Sequence, residues 1–157
     1  MEVGEAEVLA VALMRHHGLL VDEPRLFGRL RRAWRFTWSR SVSAFGHCDW
    51  GRREIRLSRR LVERNPPWEV LDCILHEIAH ALTPGAGHGS VWRSTARRLG
   101  CDAQRLYRPD DVVTVPRRYV YSCGCGRTWP RHRRTLERRS CRTCGETLSC
   151  VDTRIST

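Results

Sequence analysis

Residues 76–80 read His76-Glu77-Ile78-Ala79-His80, and His88 follows eight residues after His80. On a helix, side chains four apart lie one turn apart on the same face. Two imidazoles so placed can grip one Zn²⁺, and the intervening Glu can reach a water on that ion. The pentapeptide fixes only three residues, so its flanks decide the reading. Pro66 and Pro67 suit a helix start, with Glu69 in the first turn. Val70, Leu71, Ile74, Leu75, Ile78 and Leu82 recur at helical spacing. The pattern predicts a helix over 67–82 whose buried face carries His76 and His80. Thr83-Pro84-Gly85-Ala86-Gly87 ends it. Beyond the break come His88, Gly89 and a second apolar-periodic stretch (Val91, Trp92, Ala96, Leu99).

A catalytic zinc takes three protein ligands and keeps one position open. His88 is the evident third, aimed back at the metal by the Gly-rich turn. A downstream Glu is the usual alternative, but no Glu occurs between Glu77 and Glu137. The metzincin spacing needs Gly at 83 and His at 86, where this chain has Thr83 and Ala86. The competing reading is two buried structural histidines and an unrelated third.

All 28 basic residues are Arg, and the formal net charge is +11. The guanidinium fork bonds phosphate in bidentate fashion and stacks on bases, so nucleic acid is the expected partner. A GC-rich coding bias would also produce Arg without any ligand. No apolar run reaches the ~18 residues of a membrane span. The start Met1-Glu2-Val3-Gly4-Glu5 is acidic, unlike the basic start of a signal peptide. The expectation is a cytoplasmic protein with no membrane contact.

Four of the eight Cys have metal-type spacing. Cys123-Gly124-Cys125 and Cys141-Arg142-Thr143-Cys144 stand 15 residues apart, and Gly126 and Gly145 follow the two pairs. These read as the knuckles of a zinc ribbon, a closed structural site. Strands are expected at Tyr119-Val120-Tyr121 and around Thr147, Leu148 and Val151. His132 or Cys150 could replace one Cys, and unmetallated thiols in a basic tail are the bland alternative. Cys48, Cys73 and Cys101 read as small buried side chains. Arg117, Arg118, Arg127, Arg131, Arg133, Arg134, Arg138 and Arg139, with Trp129, form a basic run with interleaved aromatics. Such a run suits backbone contact and base stacking, or else only a solvated face.

Residues 3–17 read as an N-terminal helix ending near Gly18. Trp34, Phe36 and Trp38 alternate with Arg35, Thr37 and Ser39, as in a half-buried strand. Ala44–Cys48 and Arg53–Leu57 read as two more strands joined at Asp49-Trp50-Gly51. Ser58 can cap a short helix through Glu63.

The ordered combination resembles the SprT-like zinc metalloprotease family. The residues that carry the resemblance are Phe36-x-Trp38, Glu54-Ile55-Arg56-Leu57-Ser58, the pentapeptide, and His88-Gly89-Ser90-Val91-Trp92. Tyr121-x-Cys123-x-Cys125, Arg131-His132-Arg133 and Cys141-x-x-Cys144-Gly145-Glu146-x-Leu148 extend it through the tail. The resemblance implies a zinc endopeptidase, and for its best-understood members one that cuts proteins trapped on DNA. The combined expectation is an α+β chain. Residues 1–100 would form a zincin-like core of N-terminal helix, three-stranded antiparallel sheet and two metal-ligand helices. A linker would span 101–116 and a four-cysteine zinc ribbon 117–157. One catalytic and one structural zinc are expected, with Glu77 as general base. DNA and a protein substrate are the expected partners. The alternatives are a non-enzymatic DNA- or RNA-binding zinc protein, or a zinc hydrolase acting on something other than protein.

Overall fold

The computed structural model describes residues 1–20, 33–104, 112–135 and 137–154. The chain is mixed α+β and divides into two compact units, Met1–Thr114 and Val115–Thr157. In the first, α1 (Val3–His16) precedes β1 (Arg35–Ser39), β2 (Gly46–Asp49), β3 (Glu54–Ser58), α2 (Arg59–Val62), α3 (Pro67–Leu82) and α4 (Ser90–Leu99). The second unit holds β4 (Tyr119–Ser122), β5 (Thr128–Arg131) and β6 (Ser149–Asp152). Among the described residues, no helix is long and apolar enough to cross a membrane.

α3 is the spine of the first unit. Pro67 occupies its first position, where the missing N–H is not needed, and Glu69 lies against the positive end of the helix dipole. Val70, Cys73, Ile74, Ile78 and Ala79 are fully buried. Thr83 ends the helix by donating its hydroxyl to the Ala79 carbonyl at 2.7 Å. Gly85 and Gly87 then adopt φ of +72° and +54°, which lets the chain reverse at once. α1 offers α3 a stripe of small and flexible residues, Ala6, Ala10 and Met14, all fully buried.

The sheet corrects the antiparallel expectation. Its order is β1-β3-β2; β3 runs antiparallel to β2 but parallel to β1. A parallel pair needs a crossover of about a dozen residues or more. Residues 40–53 provide it, and β2 is part of that crossover. The segment from β1 to β2 passes the end of β3. There Ser58 donates its hydroxyl to the Ser41 carbonyl and its N–H to the Phe45 carbonyl, both at 2.7 Å. The same Ser58 hydroxyl accepts the Leu61 N–H and caps α2, as its position before the helix predicts. β3 is the central strand, with Ile55 and Leu57 fully buried.

Most of the expected linker, 101–114, belongs to the first unit, and Val115 and Pro116 open the second. Cys101 and Ala103 pack into the cluster of Leu75, Ala79, Trp92 and Ala96. Buried Asn65 accepts the Val113 N–H at 2.7 Å and donates to the Val113 carbonyl at 3.0 Å. The middle of that stretch, 105–111, lies outside the described residues.

In the second unit β4 is central, in the order β5-β4-β6, with both pairings antiparallel. β4 precedes the first knuckle and β6 follows the second, where the aromatic and β-branched runs place strands. β5 falls within the basic run, and its Trp129 stands opposite Tyr121.

Candidate metal centre

α3 presents His76 and His80 one turn apart, and the reversal at Gly85–Gly87 returns His88 to them. The three Nε2 atoms converge. His76 and His80 are 3.2 Å apart, His80 and His88 3.1 Å, and His76 and His88 3.2 Å. Three neutral imidazoles cannot satisfy one another in a triangle, since each Nε2 either donates or accepts. A shared cation resolves the conflict. A tetrahedron with ~2.0–2.1 Å metal–nitrogen bonds has an edge of roughly 3.3–3.4 Å, so these residues fit such an ion. Burial first, then His80 and His88, hold His76 at about 3. Burial first, then His88 and His47, hold His80 at about 4. Both rings are therefore neutral at pH 7, the state that offers a lone pair.

Trp92 of α4 underlies this triangle. It is fully buried, and its ring centroid stands 4.5 Å from His88, 4.7 Å from His76 and 5.0 Å from His80. The periodicity of 91–99 marks Trp92 only as apolar; its contact with all three rings is a product of the fold. Trp50, read as a turn residue, donates its indole N–H to the His80 carbonyl at 3.0 Å. It also forms an edge contact with Trp34.

His76, Glu77, His80 and His88 share a cleft of about 380 Å³ with Gly46, Cys48, Trp50 and Thr83. Glu77 is 6% exposed, and burial raises its carboxyl to about 8. Burial, then the Glu77 charge, pushes the Cys48 thiol up to about 12, so Cys48 is a neutral wall of the cleft. Gly46 is a site residue that sequence patterning misses. A Cβ there would stand 2.7 Å from Glu77 Cγ and 2.8 Å from Cys73 Sγ. Gly46→Ala should therefore displace Glu77, cost about 1–3 kcal/mol by overpacking, and cut turnover while leaving metal content unchanged. Thermal unfolding, metal analysis and rates on one preparation check this; unaltered turnover would remove Gly46 from the site.

The buried groups also set a pH dependence in metal-free protein. Folded Glu77 keeps a proton that the unfolded chain releases above about 4.5, so its contribution is lost as pH rises toward 8. His76 and His80 act the opposite way. They stay neutral in the fold while the unfolded chain takes up protons below about 6.5, so stability falls as pH drops from there. Between pH 6.5 and 8 the difference between wild type and Glu77→Gln isolates the Glu77 contribution, since the other groups titrate alike in both. Metal-free wild type should lose about 1–2 kcal/mol over that window, at ~1.4 kcal/mol per unit, relative to metal-free Glu77→Gln. Urea unfolding at both pH values measures this; parallel profiles would refute a raised carboxyl.

In the second unit the Sγ atoms of Cys123, Cys125, Cys141 and Cys144 all lie within 4.8 Å of one another, a cluster that could hold a metal. Cys123 and Cys144 are 3.1 Å apart, and Cys125 and Cys141 3.7 Å. The N–H groups of Thr143 and Cys144 aim at Cys141 and lower its thiol to about 6. Neither His132 nor Cys150 is in the cluster. The basic run divides. Arg127, Trp129, Arg131 and Arg139 line a cavity of about 400 Å³ with Tyr121 and Arg142. Arg117 donates to the Pro130 carbonyl at 3.1 Å. Arg118 pairs with Asp152 at 2.7 Å and lies over Tyr119, so it serves the ribbon's own fold. Arg133, Arg134 and Arg138 are exposed and line neither cavity described here.

A three-His pocket with a buried carboxylate, beside a sheet edge, defines a candidate metallopeptidase centre. The family model described as SprT-like matches residues 19–111, and the chain belongs to that family. It is 28% identical over 116 residues to Protein SprT of Vibrio parahaemolyticus, covering 66% of this chain and 70% of that protein. It is 33% identical over 107 residues to Protein SprT of Pectobacterium atrosepticum, covering 60% of this chain and 63% of that protein. The chain thus spans less than two thirds of the Pectobacterium relative's length. No solved structure matches it.

Proposed function

We propose that this chain is a zinc-dependent endopeptidase with a zincin-like core, acting on proteins held on DNA. The observation that carries the reading is the Nε2 triangle of His76, His80 and His88, sharing one cleft with buried Glu77. Zinc held by the three histidines would supply a Lewis acid that acidifies water and polarises a carbonyl. Glu77 accepts the proton of the attacking water and returns it to the leaving amine. A carboxyl poised at about 8 when metal-free is shifted toward its ionised form by a neighbouring cation, which suits it to move a proton at neutral pH. β2 is an edge strand whose outer edge is unpaired among the described residues, and Gly46, His47 and Cys48 line the cleft. An extended peptide can add to such an edge by main-chain hydrogen bonds. Selection would then fall on backbone shape more than on side chains.

The second unit supports the choice of DNA. Arg127, Arg131, Arg139 and Arg142 surround Trp129 and Tyr121 in one cavity, which combines phosphate contacts with stacking faces. Replacing Arg127, Arg131 and Arg139 by Gln should flatten the slope of log affinity against log salt by about 2–3. An unchanged slope would assign that charge to solubility alone. The activity test is cleavage of a DNA-bound protein by zinc-loaded chain, with and without DNA, analysed by mass spectrometry. Cleavage that rises when substrate and enzyme share a DNA supports the reading. No cleavage under any condition refutes the peptidase and leaves a nucleic-acid-binding metal protein.

A further inference from the structure

The cysteine cluster has a fifth donor within reach. Glu146 lies two residues beyond Cys144 and turns its carboxylate back onto the thiols. Its Oε2 accepts from Cys123 Sγ at 3.4 Å and from Cys144 Sγ at 3.9 Å. A tetrahedral ion with oxygen at ~2.1 Å and sulfur at ~2.3 Å has an oxygen–sulfur edge of roughly 3.6 Å. The two contacts bracket that length. The backbone makes room for the carboxylate: a Cβ on Gly124, between the first two cysteines, would stand 2.7 Å from Oε2. In a unit rich in arginine, Glu146 forms no ion pair among the described residues. The cysteines themselves differ, for Cys123 and Cys141 are buried while Cys125 and Cys144 are exposed.

Resting on the reading of this cluster as a metal centre, we propose that Glu146 is a reserve ligand. When Cys125 does not coordinate, the carboxylate completes a three-sulfur, one-oxygen set with Cys123, Cys141 and Cys144. Oε2 already stands at ligand spacing from Cys123 and Cys144, and of the other two thiols Cys125 is exposed while Cys141 is buried, so Cys125 is the one to be replaced. Zinc accepts carboxylate oxygen as well as thiolate, so the substituted set remains a competent tetrahedral site.

Cobalt titration of the full chain tests this. Thiolate-to-cobalt charge transfer reports on the cysteine cluster, because the three ligands of the histidine site are all nitrogen and Cys48, in the wall of its cleft, is not among them. Wild type should take up one equivalent there, and so should Glu146→Ala. Cys125→Ser should also hold one equivalent, its band weaker by about a quarter, as three thiolates replace four. Cys125→Ala should behave alike, which excludes the serine hydroxyl as the donor. Adding Glu146→Ala to either should weaken binding by more than about 100-fold, beyond the 10–100-fold cost of losing an outer partner. Equal affinity in single and double variants would overturn the proposal, as would complete metal loss in both Cys125 variants. A wild-type chain with no thiolate band would instead overturn the metal reading of the ribbon.

Discussion

Glu77→Gln should retain the metal of the histidine site and lose about 10²–10⁴-fold in cleavage rate, the usual contribution of a positioned general base. Gln matches Glu in size, so a group packed against Gly46 can be exchanged without opening a cavity. The three Nε2 atoms are untouched, and metal content should stay at the wild-type value. The loss should appear in kcat at unchanged substrate affinity, because the carboxylate acts in the transition state. Metal analysis and single-turnover rates on one preparation make the comparison. Equal cleavage by the variant would remove Glu77 from the mechanism.

His88→Ala should act on a different quantity. His88 reaches the triangle from the loop after α3, and its loss leaves only the His76–His80 pair at 3.2 Å. Two nitrogens are too few for a catalytic zinc site, which takes three protein ligands. Metal affinity should fall by more than about 100-fold, exceeding the 10–100-fold cost of an outer partner. Cleavage should fall with it at any attainable zinc concentration. The fold of the metal-free protein should hold, since α3 ends at Leu82 and its core contacts lie elsewhere. Competition with a chelator of known affinity measures the loss. Wild-type affinity in the variant would assign His88 to the cleft wall and leave the third ligand open.

The parts of this account legible in the residues are those set by local chemistry. The bounds of α3 follow from Pro67 at its start and Thr83 at its end, with apolar spacing between. His88 is placed by a five-residue turn, too short to carry it far from α3. The ribbon follows from two Cys pairs with glycines behind them. What stayed hidden depends on distant pairing. Alternation in 34–39 marks a strand but carries no sign of its neighbour, and the parallel match of Phe36 with Ile55 arises only because β2 lies in the crossover. Gly46 looks like any glycine until Glu77 is packed against it. Trp92 shows as one apolar position of a helix, yet it bears on all three histidines. Cys101 and Ala103 sit in a Pro- and Asp-containing stretch that resembles a linker, but burial ties them to α3 and α4.

The most direct measurement is anomalous scattering at the zinc edge from crystals of the zinc-loaded chain. The account predicts one peak about 2.0–2.1 Å from Nε2 of His76, His80 and His88, with solvent in the fourth position. A fourth protein ligand there, or no peak among the three histidines, would contradict it.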